Sequence, residues 1–157
     1  MAVSPVYETV PVGGPPQPDY LNAVLLARTT VASRTLLERL HEVEAAFDRV
    51  REVRWGPRTL DIDIITVEGE LSADPELTLP HPRAHERAFV LAPWRDMDPD
   101  ARLPGYGPVA ALLARADTTG VRRSGIELAV PRGEPGPSGG PAGPGTTGGP
   151  SPGGAGP

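Results

Sequence analysis

The sequence predicts an α+β domain, with helices on one side of an antiparallel sheet. Three observations lead to this prediction. One early segment is rich in β-branched residues and the next is mostly apolar, apolar residues then recur at helical spacing, and a later segment alternates between aliphatic and acidic residues. The predicted order is strand, strand, helix, strand and then mostly irregular structure. That order is typical of a sandwich in which helices pack on one face of the sheet.

The first third of the chain contains two predicted strands and one long helix. Val3–Val12 is β-branched and interrupted by prolines, as in an edge strand. Tyr20–Arg28 is more apolar and is predicted to pair with it in a long hairpin. Ser33 is a candidate N-cap for a helix that runs to about Val50. One face of this helix is apolar and is expected to contact the core: Leu36, Leu37, Leu40, Val43 and Phe47.

The rest of the chain has shorter predicted elements. Thr59–Val67 (TLDIDIITV) alternates clearly and predicts a strand. The segments that follow are predicted as a turn and short strand over Glu68–Leu79, a helix over Ala84–Ala92, loop over Pro93–Pro108, a helix over Val109–Ala116 and a last strand over Ile126–Val130.

Glycine and proline divide the chain into two parts. They number 19 and 21 among 157 residues, about 25% against an average nearer 12%. The last 27 residues hold 11 of the glycines and 8 of the prolines. We therefore expect a folded domain over residues 1–130 and a disordered tail over residues 131–157.

Several absences narrow the class of protein. The chain has no cysteine, and all 15 basic residues are arginine, which argues against thiolate metal sites, a Walker phosphate loop and lysine chemistry. No apolar run approaches the length of a membrane span, and the N-terminus does not resemble a secretory signal. The net charge of −5 argues against general nucleic-acid affinity. We expect a monomeric cytoplasmic protein without a membrane or nucleic-acid partner.

Two aspartates are the leading candidates for a metal site. In a strand, Asp61 and Asp63 lie on one face, with Cα atoms about 6.6 Å apart. Paired carboxylates suit hard cations, and magnesium is commonly held by one or two carboxylates plus substrate phosphates. The alternative is simply the polar outer face of a half-exposed strand, which shows the same alternation.

Arginines are concentrated just before these aspartates. The ten residues Arg49–Arg58 contain four arginines and one glutamate. Arginine suits phosphate because its guanidinium presents a fixed fork of donors. A solvated loop with salt bridges to nearby acids is the alternative.

Two further clusters combine aromatic and polar residues. Tyr20 and Asn22 offer a ring and an amide, which can read the edge of a heterocycle; ordinary turn chemistry would also explain them. His85 and Glu86 resemble the start of a zinc-binding helix, but Phe89 stands where the second histidine is needed. A zinc site is therefore disfavoured, and Phe89 taken alone fits a core position.

Taken together, these segments resemble the 6-hydroxymethyl-7,8-dihydropterin pyrophosphokinases of folate biosynthesis over about residues 2 to 130. The family signature is present in full as Arg54-x-Gly56-Pro57-Arg58-x-x-Asp61-Ile62-Asp63-Ile64-Ile65. The flanking motifs occur in family order: Pro11-Val12-Gly13, Gln17-Pro18-Asp19-Tyr20-Leu21-Asn22, and Leu79-Pro80-His81-Pro82 through Phe89.

The resemblance implies a reaction and roles for individual residues. ATP would donate its β,γ-pyrophosphoryl group to the pterin hydroxymethyl oxygen and leave as AMP. The resemblance assigns two Mg²⁺ ions to Asp61 and Asp63, and catalytic roles to these two and to Arg49 and Arg58. It assigns ATP to Glu44, Arg49, Arg51, Arg58, His81 and Arg87. It assigns the pterin to Pro11, Val12, Gly13, Tyr20, Asn22, Trp55 and Phe89.

The resemblance also implies a ferredoxin-like fold, of which the chain would lack the first strand and helix. That strand is central in the family and pairs with the strand that carries the signature. A start codon assigned too late and a truly short chain are both open explanations. In the second case the short chain would be a poorly folded or inactive remnant. The leading interpretation of the function is a magnesium- and ATP-dependent transferase, and the alternative is an inactive nucleotide-binding fragment. A two-metal nuclease would use the same aspartates, but it leaves Tyr20 and Asn22 without a role.

Overall fold

The computed structural model describes residues 1–11, 18–48 and 60–129 of the chain. The strands of this part are β1 (Ala2–Val3), β2 (Tyr7–Thr9), β3 (Tyr20–Asn22), β4 (Leu25–Leu26), β5 (Ser72–Asp74), β6 (Leu77–Leu79), β7 (Arg102–Leu103), β8 (Gly107–Pro108) and β9 (Val121–Arg123). The helices are α1 (Ser33–Asp48), α2 (Ala88–Met97) and α3 (Val109–Leu113), with a 3-10 turn at Ala84–Glu86. The strand pairings among them are antiparallel. The predicted α+β class is confirmed.

The long N-terminal hairpin is also confirmed, in two pieces. β2 pairs with β3 in the register Tyr7↔Asn22, and β1 pairs with β4. Between them, Ser4 donates its backbone N–H to Val24, and Val24 donates its own to the Ser4 hydroxyl. Pro5, which has no N–H, interrupts the ladder at this point. The strands are therefore shorter than Val3–Val12 and Tyr20–Arg28, but the two segments do pair.

The third strand of this sheet lies earlier than predicted. β9 pairs with the other edge of β2, so that the order is β3-β2-β9. Residues 126–129 are not in a strand, so the prediction of a strand over Ile126–Val130 is wrong for the described residues. The apolar pattern did not indicate β9 because this strand contains two arginines. Arg122 contacts Glu8 on β2 at 2.5 Å and Asp19, next to β3, at 3.0 Å.

The described part of the signature segment, residues 60–65, is not in a paired strand. Residues 60–66 belong to no ladder in the part of the chain that is described, and Val67 forms only an isolated bridge with Glu70. The predicted strand over Thr59–Val67 is therefore wrong for residues 60–67. The physical reason is that no described strand lies beside it to exchange hydrogen bonds. The carbonyl of Ile65 instead accepts the N–H of His81 at 2.7 Å.

Helix α1 follows its prediction in extent but not in burial. It begins at Ser33 and is described to Asp48. Its first turn is tied to the β5–β6 region, since Ser33 donates to Glu70 and Arg34 pairs with Asp74 and Glu76. Val43 and Phe47 are 41% and 51% exposed. The expectation that they face the core is wrong, because no described element covers that end of the helix.

The main core lies under α2 and α3. It is built from Ala84, Val90, Leu91, Ala101, Leu103, Val109 and Leu112. α2 also packs on β2, β3 and β9. The helix predicted to end at Ala92 continues through Pro93 to Met97, and Pro93 is almost fully buried in it. Burial of this proline and of Leu91 stabilises the helix through this position, although proline usually ends a helix.

The predicted loop Pro93–Pro108 also contains a small hairpin. β7 and β8 pair around a turn in which Gly105 and Gly107 have positive φ angles of 76° and 109°. The predicted helix over Val109–Ala116 is confirmed as α3, with turns to Ala116. The predicted tail over residues 131–157 lies outside the described residues. Within the described residues, we find no helix of the length and hydrophobicity that a bilayer crossing needs.

Candidate active site

The predicted alternation of the signature segment is present in its side chains. Asp61 and Asp63 are exposed, whereas Leu60, Ile62 and Ile64 are partly buried. An extended backbone places successive side chains on opposite sides even without a strand partner. The two aspartates therefore share a solvent-facing side, as the sequence predicted.

A hydrogen bond to helix α1 helps to position this segment. The backbone N–H of Ile62 donates to Oε1 of Glu44 at 2.6 Å. Bonds from N–H groups to carboxylates are short and stronger than neutral ones. Ile62 lies between the two aspartates in sequence, so Glu44 fixes the backbone at the centre of the pair.

Asp63 contacts two of the predicted phosphate-binding side chains. Its Oδ2 lies 3.3 Å from Nη1 of Arg87, which donates to it, and 3.8 Å from Nε2 of His81. Arg87 and His81 are 23% and 18% exposed, against 45% for Asp63. The structure thus brings together an acid and two basic side chains that lie 24 and 18 residues away in sequence.

The imidazole of His81 has a defined orientation. Its Nδ1 accepts the backbone N–H of Arg83 at 3.1 Å, so in the neutral ring the proton is on Nε2, which faces Asp63. Burial lowers the pKa of His81; Asp63 opposes that shift and Arg87 adds to it. The ring is therefore neutral at physiological pH and presents an N–H donor to the site.

Arg87 and Phe89 connect this group to helix α2. Arg87 caps the helix with an extended backbone, and its N–H donates to the carbonyl of Ala84. Its guanidinium carbon lies 5.5 Å from the centre of the Phe89 ring, a cation–π distance. Phe89 itself is partly buried against the core.

A cavity of about 260 Å³ adjoins the two aspartates. Segment 61–64, helix α1, strand β6 and the His81-Pro82 pair border it. The wall from α1 consists of Leu37, His41 and Glu44, and the wall from β6 of Leu77 and Thr78. The volume lies just below the usual range of ligand pockets, and polar groups form more of the wall than is usual for them.

The other predicted cluster lies on the sheet. Tyr20 on β3 is 45% exposed, and Pro11 is partly exposed. Asn22, on the same strand, donates from its amide to the Thr9 hydroxyl at 2.9 Å. α2, the helix that carries Phe89, packs against β3. Tyr20 and Phe89 thus belong to contacting elements.

Six of the predicted site residues lie outside the described residues: Val12, Gly13, Arg49, Arg51, Trp55 and Arg58.

Sequence reasoning missed part of the cavity wall. His41 had no assigned role, although it lies three residues before Glu44 and therefore on the same helical face. No local sequence pattern indicates a site role for Leu77 or Thr78, because only the folding of the β5–β6 hairpin brings them to the cavity.

The side chains at this site fit magnesium only if the substrate supplies further ligands. No group of three or more His, Cys, Asp or Glu side chains that could hold a metal ion is present among the residues described. A fully protein-held site is thus not built there. Two exposed carboxylates suit an ion that completes its shell with substrate phosphates and water. The adjacent basic groups suit the phosphates.

Comparison with known proteins finds a single family of enzymes. Residues 1–99 match the family described as 7,8-dihydro-6-hydroxymethylpterin-pyrophosphokinase. Three curated relatives are named 2-amino-4-hydroxy-6-hydroxymethyldihydropteridine pyrophosphokinase. The protein of Pseudomonas aeruginosa is 42% identical over 123 residues, 78% of this chain and 76% of the relative. That of Mycobacterium tuberculosis H37Rv is 47% identical over 138 residues, 78% of this chain and 73% of the relative. That of Bacillus subtilis is 39% identical over 129 residues, 80% of this chain and 74% of the relative.

The fold class and the acidic, arginine-flanked site place the chain among phosphate-handling α+β proteins. The match over residues 1–99 and the identities to curated relatives define the family. The chain belongs to the 7,8-dihydro-6-hydroxymethylpterin-pyrophosphokinase family.

Proposed function

We propose that this protein transfers diphosphate from ATP to the hydroxymethyl group of 6-hydroxymethyl-7,8-dihydropterin in folate biosynthesis. The products are AMP and the pterin diphosphate. The observation that carries the proposal is the arrangement around Asp63, where a carboxylate, Arg87 and a neutral His81 meet beside the cavity. Family membership supplies the substrates.

The transfer is a displacement at phosphorus. The hydroxymethyl oxygen forms a bond to the β-phosphorus, and the bond from that phosphorus to the α,β-bridging oxygen breaks. AMP leaves with that bridging oxygen, and the pterin hydroxyl loses its proton. Such reactions need little covalent participation by the protein, since alignment and charge neutralisation lower most of the barrier.

The described residues fit these two tasks. Arg87 carries a permanent positive charge and offers paired donors for a phosphate. His81 adds a neutral Nε2–H donor held in place by the N–H of Arg83. Glu44 holds the backbone between the aspartates, so that both carboxylates keep their relative positions during the reaction.

Asp61 and Asp63 are the proposed ligands of two Mg²⁺ ions. When bound, the ions would neutralise the triphosphate and align its β-phosphorus with the attacking oxygen. The two-ion stoichiometry follows from the family resemblance and is part of the proposal. Arg49 and Arg58 complete the proposed catalytic set, and Arg49, Arg51 and Arg58 the proposed ATP contacts.

The cavity between α1 and β6 suits the nucleoside part of ATP. It opens directly from Asp61 and Asp63, so a triphosphate at the aspartates would place its nucleoside there. Leu37 and Leu77 offer apolar surface for a base, and His41 and Thr78 offer polar groups at its edge. These properties support ATP as the co-substrate.

The pterin is proposed to bind on the other side of Arg87. Phe89 provides a ring next to that arginine, and Tyr20 provides a second exposed ring on the sheet that α2 contacts. Asn22 would bond the heterocycle edge. Pro11, Val12 and Gly13 would line the pocket, and Trp55 would cover it.

The finer architecture belongs to the same proposal. We infer a ferredoxin-like domain over residues 1–130 that acts as a cytoplasmic monomer, followed by a disordered tail over residues 131–157.

The direct test is formation of AMP from ATP that depends on 6-hydroxymethyl-7,8-dihydropterin and magnesium. We expect stoichiometric AMP and pterin diphosphate by chromatography, and none when the pterin is omitted. Binding of ATP without AMP release at any pterin concentration would support the alternative of an inactive nucleotide-binding fragment. Release of ADP instead of AMP would contradict the proposed reaction.

A further inference from the structure

The carboxylate proposed to bind metal is already in contact with a cation of the protein itself. Arg87 Nη1 lies 3.3 Å from Asp63 Oδ2, and His81 Nε2 approaches the same oxygen to 3.8 Å. A divalent ion that binds at this oxygen lies within contact distance of the permanent positive charge of Arg87. Metal and arginine therefore compete for Asp63.

The backbone of Arg87 is anchored independently of Asp63. Its N–H donates to the carbonyl of Ala84, which is completely buried in the core. Its guanidinium also lies over the Phe89 ring at 5.5 Å. The side chain can turn from Asp63 toward an incoming phosphate without any movement of the main chain. The ion pair is partly exposed, with Asp63 45% and Arg87 23% accessible, so a polyphosphate can reach it.

We propose that Arg87 couples metal loading to nucleotide binding. In the nucleotide-free protein it occupies Asp63 and keeps a divalent cation weakly bound. A triphosphate takes over the guanidinium and so releases the carboxylate for the ion. The proposal rests on the proposed function, in which Asp63 is a metal ligand. The coupling is reciprocal, so nucleotide binding raises the affinity for the metal ion by the same factor as the metal ion raises the affinity for the nucleotide.

The coupling makes two predictions of opposite sign for one substitution. In Arg87→Gln, Mn²⁺ alone should bind about 5-fold more tightly or better, because its competitor is gone. The same variant should bind Mn²⁺ together with a non-hydrolysable ATP analogue about 10-fold more weakly, because a phosphate partner is gone. A structural defect would weaken both measurements.

Arg83→Gln is the matched control. It removes the same charge from the same segment, but Arg83 is 66% exposed and pairs with Glu86. Mn²⁺ alone should bind to this variant within about 2-fold of the wild type, as expected for a screened surface charge. Free Mn²⁺ can be followed by electron paramagnetic resonance.

Asp63→Asn tests the other half of the pair. With its partner neutral, Arg87 becomes available, and inorganic triphosphate in the presence of a chelator should bind about 5-fold more tightly than to the wild type. Calorimetry measures this without metal and without turnover. Equal triphosphate affinity in the two proteins would count against the coupling.

The outcomes separate the two proposals. If Asp63→Asn leaves Mn²⁺–nucleotide binding unchanged, Asp63 is not a metal ligand, and the metal site falls together with the coupling. If that binding is lost in Asp63→Asn but Mn²⁺ alone binds Arg87→Gln no better than the wild type, only the coupling is overturned. Tighter Mn²⁺ binding in Arg83→Gln as well would reduce the effect to general electrostatics and also overturn it.

Discussion

The carboxylate of Glu44 accepts the backbone N–H of Ile62 at 2.6 Å, which ties helix α1 to the segment between the two aspartates. No strand ladder holds residues 60–66 in the described part of the chain. This bond therefore helps to position Asp61 and Asp63, together with the bond from the His81 N–H to the Ile65 carbonyl and the contact of Arg87 with Asp63.

The first prediction concerns this bond. Glu44→Ala should lower both the melting temperature and kcat, because the Ile62 N–H loses its partner and the aspartates lose their alignment. Bonds to charged groups contribute about 1.5–3 kcal/mol, and partial exposure puts this one at the lower end. Glu44→Gln should recover much of the loss, since its amide oxygen still accepts. Glu42→Ala, at an exposed position of the same helix, is the control and should leave both quantities nearly unchanged.

The second prediction concerns the acidic pair. Asp61→Asn and Asp63→Asn should each reduce kcat by more than the roughly 10–100-fold typical of residues that only support a metal ligand. Circular dichroism and thermal unfolding should change little, because both side chains are exposed. Full magnesium-dependent activity in either variant would remove that residue from the metal site.

The third prediction concerns the pterin pocket. Tyr20→Leu should raise KM for the pterin by about 10-fold and leave KM for ATP unchanged, because loss of a stacking ring costs about 1 kcal/mol or slightly more. Leu21→Ala is the matched control, since its side chain, 58% exposed, points to the opposite face of the strand. A parallel rise in both KM values for Tyr20→Leu would indicate a general structural defect instead.

The fourth prediction concerns the core under α2 and α3. Leu91 is completely buried, and Leu91→Ala should lower the free energy of unfolding by about 2–5 kcal/mol, through lost burial and the cavity left behind. Leu71→Ala removes the same atoms from a residue that is 77% exposed, so it should change stability by less than about 0.5 kcal/mol. Denaturant unfolding monitored by tryptophan fluorescence compares the two. Equal effects would contradict the assigned core.

The fifth prediction concerns alkaline stability. Burial, followed by the hydrogen bond to Asp96, raises the pKa of Tyr7 from 10.0 to about 12. The phenol keeps its proton in the folded state when the unfolded chain has already lost it. The contribution of Tyr7 to the free energy of unfolding is therefore complete below pH 10.0 and is lost as the pH rises from there to about 12.

Tyr7→Phe provides the comparison for this pH effect. The variant loses the 2.6 Å bond to Asp96 and should be less stable at neutral pH, but its stability should fall less steeply above pH 10. Thermal unfolding of both proteins from pH 8 to 11 measures the difference. Identical slopes would show that Tyr7 titrates normally.

Much of the local structure was predictable because it depends on nearby residues. The extent of α1 follows from apolar spacing, and the N-terminal hairpin follows from a β-branched segment and an apolar one around a proline-rich connection. The alternation of Asp61, Ile62 and Asp63 follows from the extended backbone alone. The predicted burial of Val43 and Phe47 failed because periodicity identifies an apolar face but does not supply an element to cover it. The last strand was misplaced because β9 contains Arg122 and Arg123, which give no apolar pattern, and because its pairing with β2 depends on the tertiary fold.

The sequence by itself determined the family, through a complete signature, and it determined which residue types stand at the site. The tertiary structure decided how these residues meet. Asp63 pairs with Arg87, 24 residues further along, and Glu44 reaches Ile62 across 18 residues. Local periodicity carries no information about such contacts, because they depend on where the intervening chain places each segment. The same reasoning applies to residues 60–66, whose side chains alternate although no described strand forms a ladder with them. Alternation is a property of one segment, whereas a ladder requires two.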